Sequence, residues 1–146
     1  MSNIVKIHKI RENCKLPTTA TKGSAGADIY ACIDTKLIIK PGETAFIPTG
    51  FSLALPENYV GLIFARSGLA TKEGLAPANK VGVIDSDYRG EVGIVLYNQS
   101  KTNRAIMPQQ RIAQLVVVPY VPAVFEEVDK LEETVRGEGG YGSTGK

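Results

Sequence analysis

The chain has 146 residues, with 17 Lys and Arg against 15 Asp and Glu and a formal net charge of +2. That length suits one domain with a sizeable core. The near-balance of charge gives no basis for a polybasic nucleic-acid surface or an anionic-membrane binder, and no apolar run is long enough to span a bilayer.

Ile4 to Ile10 opens the chain as a mixed apolar and basic strand, with no apolar signal-peptide core before it. A soluble, intracellular (cytoplasmic) protein is therefore expected. His8, the only histidine, falls in this segment and reads as a surface or rim residue. Cys14 and Cys32 are the only cysteines. They make no Cys-x-x-Cys pair and no disulfide framework. One His and two scattered Cys argue against a zinc site and against a Ser-His-Asp hydrolase. Any catalysis would then use carboxylates, arginines, hydroxyls and backbone amides, with or without a borrowed hard metal ion.

Asp28 to Ile33 follows a Gly/Ser/Ala-rich bend and reads as a strand. Leu37 to Ile39 is another, closed by the turn dipeptide Pro41-Gly42. Thr44 to Pro48 and Phe51 to Leu55 flank a Thr-Gly break, and Tyr59 to Phe64 continues the pattern. Ser67 to Glu73 reads as one or two helical turns ending at Gly74. Val92 to Tyr97 and Ile112 to Val118 are the most apolar runs and are expected in central strands. Glu126 to Glu133 fits a second helix or an extended edge strand. Many short β-branched runs with regular turns favour an all-β sandwich or barrel. No repeat or linker is present, so residues 1–146 are expected to form one domain.

Two segments exceed structural need. Gly82-Val83-Ile84-Asp85-Ser86-Asp87-Tyr88-Arg89-Gly90 leads from an apolar strand into a tight turn crowded with two carboxylates, a phenol and a guanidinium. An ordinary hairpin needs only the glycines and one Asp. The tail from Arg136 is glycine-rich and has too few apolar groups to fold unaided. It reads either as a frayed terminus or as an arm that orders over an anionic ligand, its Arg and backbone N–H groups suiting phosphate. Gly140 to Lys146 fits Gly-x-x-x-x-Gly-Lys, but a P-loop needs a preceding strand and a helix that receives the phosphates. No P-loop NTPase is expected.

Five segments in this order, Ser24 to Ala31, Ala65 to Ala70, Asn79 to Glu91, Arg111 to Leu115 and Arg136 to Gly145, resemble the homotrimeric dUTP pyrophosphatase (dUTPase) family across nearly the whole chain. The resemblance implies an all-β jelly-roll/β-clip subunit with one short helix, a β core over residues 1–135 and a mobile arm over 136–146 that closes the active site. It implies a homotrimer with shared sites, no nucleic-acid or membrane partner, and hydrolysis of dUTP to dUMP and pyrophosphate. That reaction limits uracil incorporation into DNA and supplies dUMP for dTMP synthesis.

By the same resemblance, Asp85 would hold the attacking water, take its proton and touch the sugar 3′-hydroxyl. Asp28 would steer Mg²⁺ through coordinated water. Arg66, Ser67, Gly68 and Gln114 would meet the phosphates, Arg136 would grip the terminal one, and Gly142, Ser143 and Thr144 would add contacts. The hairpin from Asn79 to Tyr88, including Gly82 and Val83, would read the base through its main chain. Tyr88 would lie under the deoxyribose and exclude a 2′-hydroxyl, and Tyr141 would stack over uracil. Each residue also has a plainer reading: turn stabilisation for Asp85 and Asp28, helix capping for Ser67, strand satisfaction for Gln114 and hairpin packing for Tyr88. The chain departs from the family pattern at Gln109 and Gln110, where a Gly and an acidic residue usually stand, and at Tyr141, where Phe is common. A dCTP deaminase-like enzyme of the same fold, a non-catalytic nucleotide-binding regulator and a structural jelly-roll protein are the competing readings.

Overall fold

The computed structural model describes residues 4–142. Eleven strands form: β1 (Lys6–Lys9), β2 (Ala27–Tyr30), β3 (Leu37–Ile39), β4 (Thr44–Pro48), β5 (Phe51–Ala54), β6 (Tyr59–Phe64), β7 (Leu75–Pro77), β8 (Gly82–Ile84), β9 (Gly93–Asn98), β10 (Arg104–Ile106) and β11 (Arg111–Pro119). Every pairing is antiparallel. The sheets run β2-β11-β6-β8, β4-β9-β7, β1-β5 and β10-β3.

The two most apolar runs lie where expected. β11 sits between β2 and β6, and β9 between β4 and β7. Along β9 the buried positions alternate, Ile94, Leu96 and Asn98, as the two-residue period of a strand requires. Side chains from ten strands, β2 to β11, among them Ile29, Ile39, Ile47, Phe51, Leu96, Ile106 and Ile112, meet in one core. Asn98 is fully buried yet satisfied. Its amide donates to Ile39 O and Thr102 O, and its Oδ1 accepts from Ser100 N and Oγ. A buried amide without such partners would be costly.

The helical segment is one wide turn, Leu69–Glu73, ended by Gly74 at φ 68°, a left-handed conformation that glycine adopts without strain. Among the described residues, no helix is long and apolar enough to cross a membrane.

Two expectations change. Asn79 to Tyr88 is not a hairpin, because β7 pairs with β9 while β8 pairs with β6. The chain crosses between sheets there, and β7 and β10 were too short to show as hydrophobic runs. Glu126 to Glu133 forms neither helix nor strand. Its large apolar neighbours Val124, Phe125 and Leu131 are almost wholly exposed, so no burial stabilises a regular conformation. The last strand ends at Pro119.

Candidate active site

Two concavities hold most of the residues singled out by sequence. The first is lined by Ser24, Gly26, Asp28, Arg66, Ser67, Arg111 and Gln114, among others. Strand register explains the grouping. Gln114 on β11 stands opposite Asp28 on β2 and opposite Phe64 on β6. Arg66 follows two residues after Phe64. The sheet thus brings three distant segments into one row.

Arg111 and Gln114 are three apart and would face opposite sides of a regular strand. A register shift between Arg111 and Ala113 removes that alternation. Such bulges re-aim side chains, and both residues turn into the same concavity.

The carboxylate of Asp28 is clamped. Arg66 Nε donates to its Oδ1 at 2.8 Å, and Arg111 Nη1 lies 3.5 Å from its Oδ2. One carboxylate between two guanidiniums leaves the concavity with a surplus positive charge, which suits an anion. Gln114 is fixed as well: its Nε2 donates to Ala65 O at 2.8 Å. A Cβ at Gly26 would run into Gln114 Oε1, so a side chain at position 26 would have to displace the Gln114 amide. Ser67 and Gly68 are exposed at the start of the helical turn. No side chain caps that turn, so the plainer reading of Ser67 as a cap is not met.

The second concavity is lined by Asn79, Gly82, Val83, Asp85, Tyr88 and Glu91 with residues of β9. It shares no lining residue with the first. β8 is the outermost strand of its sheet, so its outer edge keeps unpaired backbone donors and acceptors. Gly82 packs tightly: an added Cβ would come within 3.1 Å of Ile63 Cβ and 3.4 Å of the Asn79 amide nitrogen. Asp85 is exposed at the strand end, and Tyr88 N donates to Asp85 O at 3.1 Å to close the turn. The Tyr88 ring crosses Gly90, whose missing Cβ would stand 2.3 Å from the phenol oxygen, and its hydroxyl donates to Glu91 O at 3.0 Å. Arg89 braces the turn by donating to Ser86 O and Tyr88 O.

Arg136 and Tyr141 line neither concavity. Arg136 Nε donates to Gly139 O at 2.9 Å within the tail, and Tyr141 is fully exposed. Gly142 has φ 86°. Ser143 and Thr144 lie outside the described residues. Sequence reasoning gave no role to Arg111, Gly26, Gly90 or Glu91. All four stood inside quoted motifs, but the partners of Arg111 and Gly26 are fixed only by the bulge and by sheet register.

Among the described residues, no three His, Cys, Asp or Glu side chains converge on a metal position. The donor set fits a hydrated hard cation rather than a protein cage. Asp28 Oδ1 already accepts from Arg66 and Oδ2 is ion-paired with Arg111, and both oxygens retain lone pairs that a metal-bound water can donate to.

Comparison with known proteins gives a consistent result. A family profile described as dUTPase matches residues 12–145. The deoxyuridine 5'-triphosphate nucleotidohydrolase of Paraburkholderia xenovorans is 48% identical over 143 residues, covering 97% of each chain. That of Acinetobacter baumannii (strain AYE) is 48% identical over 132 residues, covering 90% of this chain and 88% of its own. Among solved structures, the Staphylococcus bacteriophage 80alpha dUTPase with dUPNHPP superposes with a TM-score of 0.90 at 29% identity, over 99% of this chain and all of that one. A mutant dUTPase from phage phi11 of S. aureus, described as coordinating a structural Mg(II) ion, gives 0.80 at 27% identity, over 90% of this chain and all of that one.

Proposed function

The chain belongs to the dUTPase family and is a dUTP diphosphatase of the jelly-roll/β-clip fold, and from that premise we propose how its residues divide the cleavage of dUTP to dUMP and pyrophosphate. The carrying observation is that one chain builds two half-sites of complementary chemistry. One is rich in guanidinium, and the other offers a carboxylate beside a free strand edge.

The first half-site takes the triphosphate. Arg66, Ser67, the Gly68 amide and Gln114 bind its oxygens, and Asp28 orients the hydration shell of Mg²⁺. When bound, Mg²⁺ supplies charge neutralisation and holds one triphosphate conformer. The second half-site takes the nucleoside. The outer edge of β8 from Gly82 through Val83 offers main-chain donors and acceptors to uracil, and Asn79 adds its amide. Cytosine presents the wrong pattern, and mismatched buried polar groups discriminate by roughly 10⁴. Thymine carries a methyl that the packed backbone at Gly82 leaves no space for.

Tyr88, braced by Gly90 and Glu91, forms the floor under the deoxyribose and excludes a 2′-hydroxyl. Asp85 touches the 3′-hydroxyl, holds a water in line with the α-phosphorus and accepts its proton as the new P–O bond forms. The bond from the α-phosphorus to the bridging oxygen breaks, and pyrophosphate leaves. The tail, residues 136–146, closes the site: Arg136 pairs with the terminal phosphate, Tyr141 stacks on uracil, and Gly142, Ser143 and Thr144 supply further contacts. The two half-sites have no lining residue in common, which is consistent with the homotrimer of shared sites that the family resemblance implies, each site joining unlike halves from neighbouring subunits.

The test is pyrophosphate release with and without magnesium across dUTP, dTTP, dCTP and UTP. Release from dUTP alone, dependent on the metal, is the expected result. Ammonia from dCTP would support a deaminase instead, and dUTP bound but returned whole would support a non-catalytic regulator.

A further inference from the structure

Cys14 and Cys32 are separated by 18 positions in sequence and look unrelated there. In the fold both are buried, at 4% and 5% exposure, and both face Gly50. A Cβ at position 50 would lie 2.5 Å from Cys14 Cβ, 3.0 Å from its Sγ and 2.8 Å from Cys32 Sγ. The two sulfurs therefore border one small point in space, and both are free thiols. Gly50 has φ 77°, so it is suited to this place twice over: no side chain fits, and the backbone conformation is one that L-residues resist.

The pair lies just under the surface. Above it runs an exposed turn, Arg11 to Asn13, closed by Cys14 N donating to Arg11 O. Cys14 Sγ donates to Gly50 O at 3.1 Å, and Asn13 Oδ1 stands 4.0 Å from Cys32 Sγ.

Gly50 also connects the thiols to the nucleoside half-site. Its N–H donates to Glu91 Oε1 at 3.1 Å, Arg11 Nε lies 3.7 Å from the same oxygen, and Glu91 O accepts the Tyr88 hydroxyl at 3.0 Å. The path from sulfur to sugar floor thus runs Gly50, Glu91, Tyr88.

We infer that Cys14 and Cys32 form a redox-modifiable dithiol site, closed by a peroxide-class oxidant into an intramolecular disulfide that shifts Gly50 and, through Glu91, the position of Tyr88. The chemistry balances. Peroxide oxidises one thiolate to a sulfenic acid with release of one water or hydroxide. The second thiol displaces the sulfenic oxygen as a second water, and the S–S bond forms. A disulfide needs the sulfurs about 2.05 Å apart, so the walls around Gly50 must move together. Burial, and then the neighbouring Cys14, push the Cys32 thiol upward, with Glu91 and Asp34 in the same direction and Arg11 opposing. Thiolate is the reactive form, so closure speeds up as pH rises.

The effect on nucleotide rests on the role proposed for Tyr88, whereas the modification itself does not. The full chain is treated with hydrogen peroxide, free thiols are alkylated, and intact mass and non-reduced peptides are measured. The expected product has lost two hydrogens, carries a Cys14–Cys32 cross-linked peptide and returns to the dithiol with dithiothreitol. C14S and C32S form no such product. Sulfinic or sulfonic acids on separate cysteines, a disulfide between chains, or thiols that survive oxidant would each overturn the site. In the closed form KM for dUTP rises by roughly three- to tenfold, the worth of about one hydrogen bond, with kcat changed less. The change reverses with reductant and is absent in C14S. A clean disulfide with unchanged KM would overturn the relay while leaving the catalytic assignment standing, and a chain inactive in both forms would sink that assignment and not the thiol chemistry.

Discussion

The two half-sites are built on opposite plans. Around Asp28 the polar groups already hold one another: Arg66 and Arg111 on the carboxylate, Gln114 on Ala65 O. Around Asp85 the important groups are left open. The carboxylate is exposed and β8 has an unpaired edge. The difference follows from the ligand parts each would meet. A triphosphate brings several negative charges and rewards a fixed, charged cradle, because a pre-arranged site loses little on binding. A neutral base is read by single donors and acceptors, which must be free to do so. Preorganisation therefore lies in the guanidinium cluster, and under the proposed function selectivity and proton transfer fall to the open turn.

The sharpest way to break this contrast is at Asp85. Asp85→Asn keeps the shape and removes the proton acceptor. We expect dUTP affinity to persist while kcat falls by roughly 10²–10⁴, the usual worth of a positioned general base. Steady-state kinetics with equilibrium binding checks this, and an unchanged kcat would move the base elsewhere. Removing residues 136–146 should act next most strongly. Among the described residues of the tail, 136–142, no large side chain is buried, so thermal stability should hold. Hydrolysis should drop by at least about tenfold, through loss of a charge-assisted phosphate contact and of closure. Full activity in the shortened chain would refute the lid.

Gly26→Ala probes the cradle from the other side. The new methyl would meet Gln114 Oε1 at 2.3 Å, and Gln114 is held by Ala65 O and cannot swing freely. We expect KM for dUTP to rise several-fold with little change in base selectivity, since nothing in the second concavity is touched. Equal losses for base selectivity and KM would show that the two halves are not separable. The same substitution at Gly23, which has open space around it, is the control.

How much of this was legible in the residues varies by mechanism. Strands that carry an apolar run between turn signals, such as Thr44–Pro48 and Tyr59–Phe64, stand at the positions their patterns give. β7 and β10 have only three residues each and owe their conformation to neighbouring strands, so local sequence carried little sign of them. The crowded turn at Asp85 stood out because its charges exceed what a turn needs. The pairing of Arg111 with Asp28 did not, because a bulge decides it. Nor did the meeting of Cys14 with Cys32, which depends on how the turn before β5 packs under the Arg11 to Asn13 loop.

The smallest expected effect concerns a departure from the family pattern. Gln109 stands where that pattern has glycine, and it takes φ 59°. The turn is kept despite the replacement. Gln109 N donates to Ala31 O at 2.9 Å, and the Gln110 side-chain oxygen accepts from Met107 N at 2.9 Å. A left-handed conformation costs a non-glycine residue about 1–2 kcal/mol, while glycine gives back part of that through a more disordered unfolded chain. The Gln109 side chain also donates to Asn13 O at 3.3 Å, a long and exposed bond worth little. Gln109→Gly should therefore stabilise the chain by no more than about 1 kcal/mol. Because Arg111 follows two residues later, its clamp on Asp28 should tighten rather than loosen. Chemical denaturation reads the first effect and KM for dUTP the second. A destabilised Gln109→Gly chain would show that the contact to Asn13 outweighs the backbone strain.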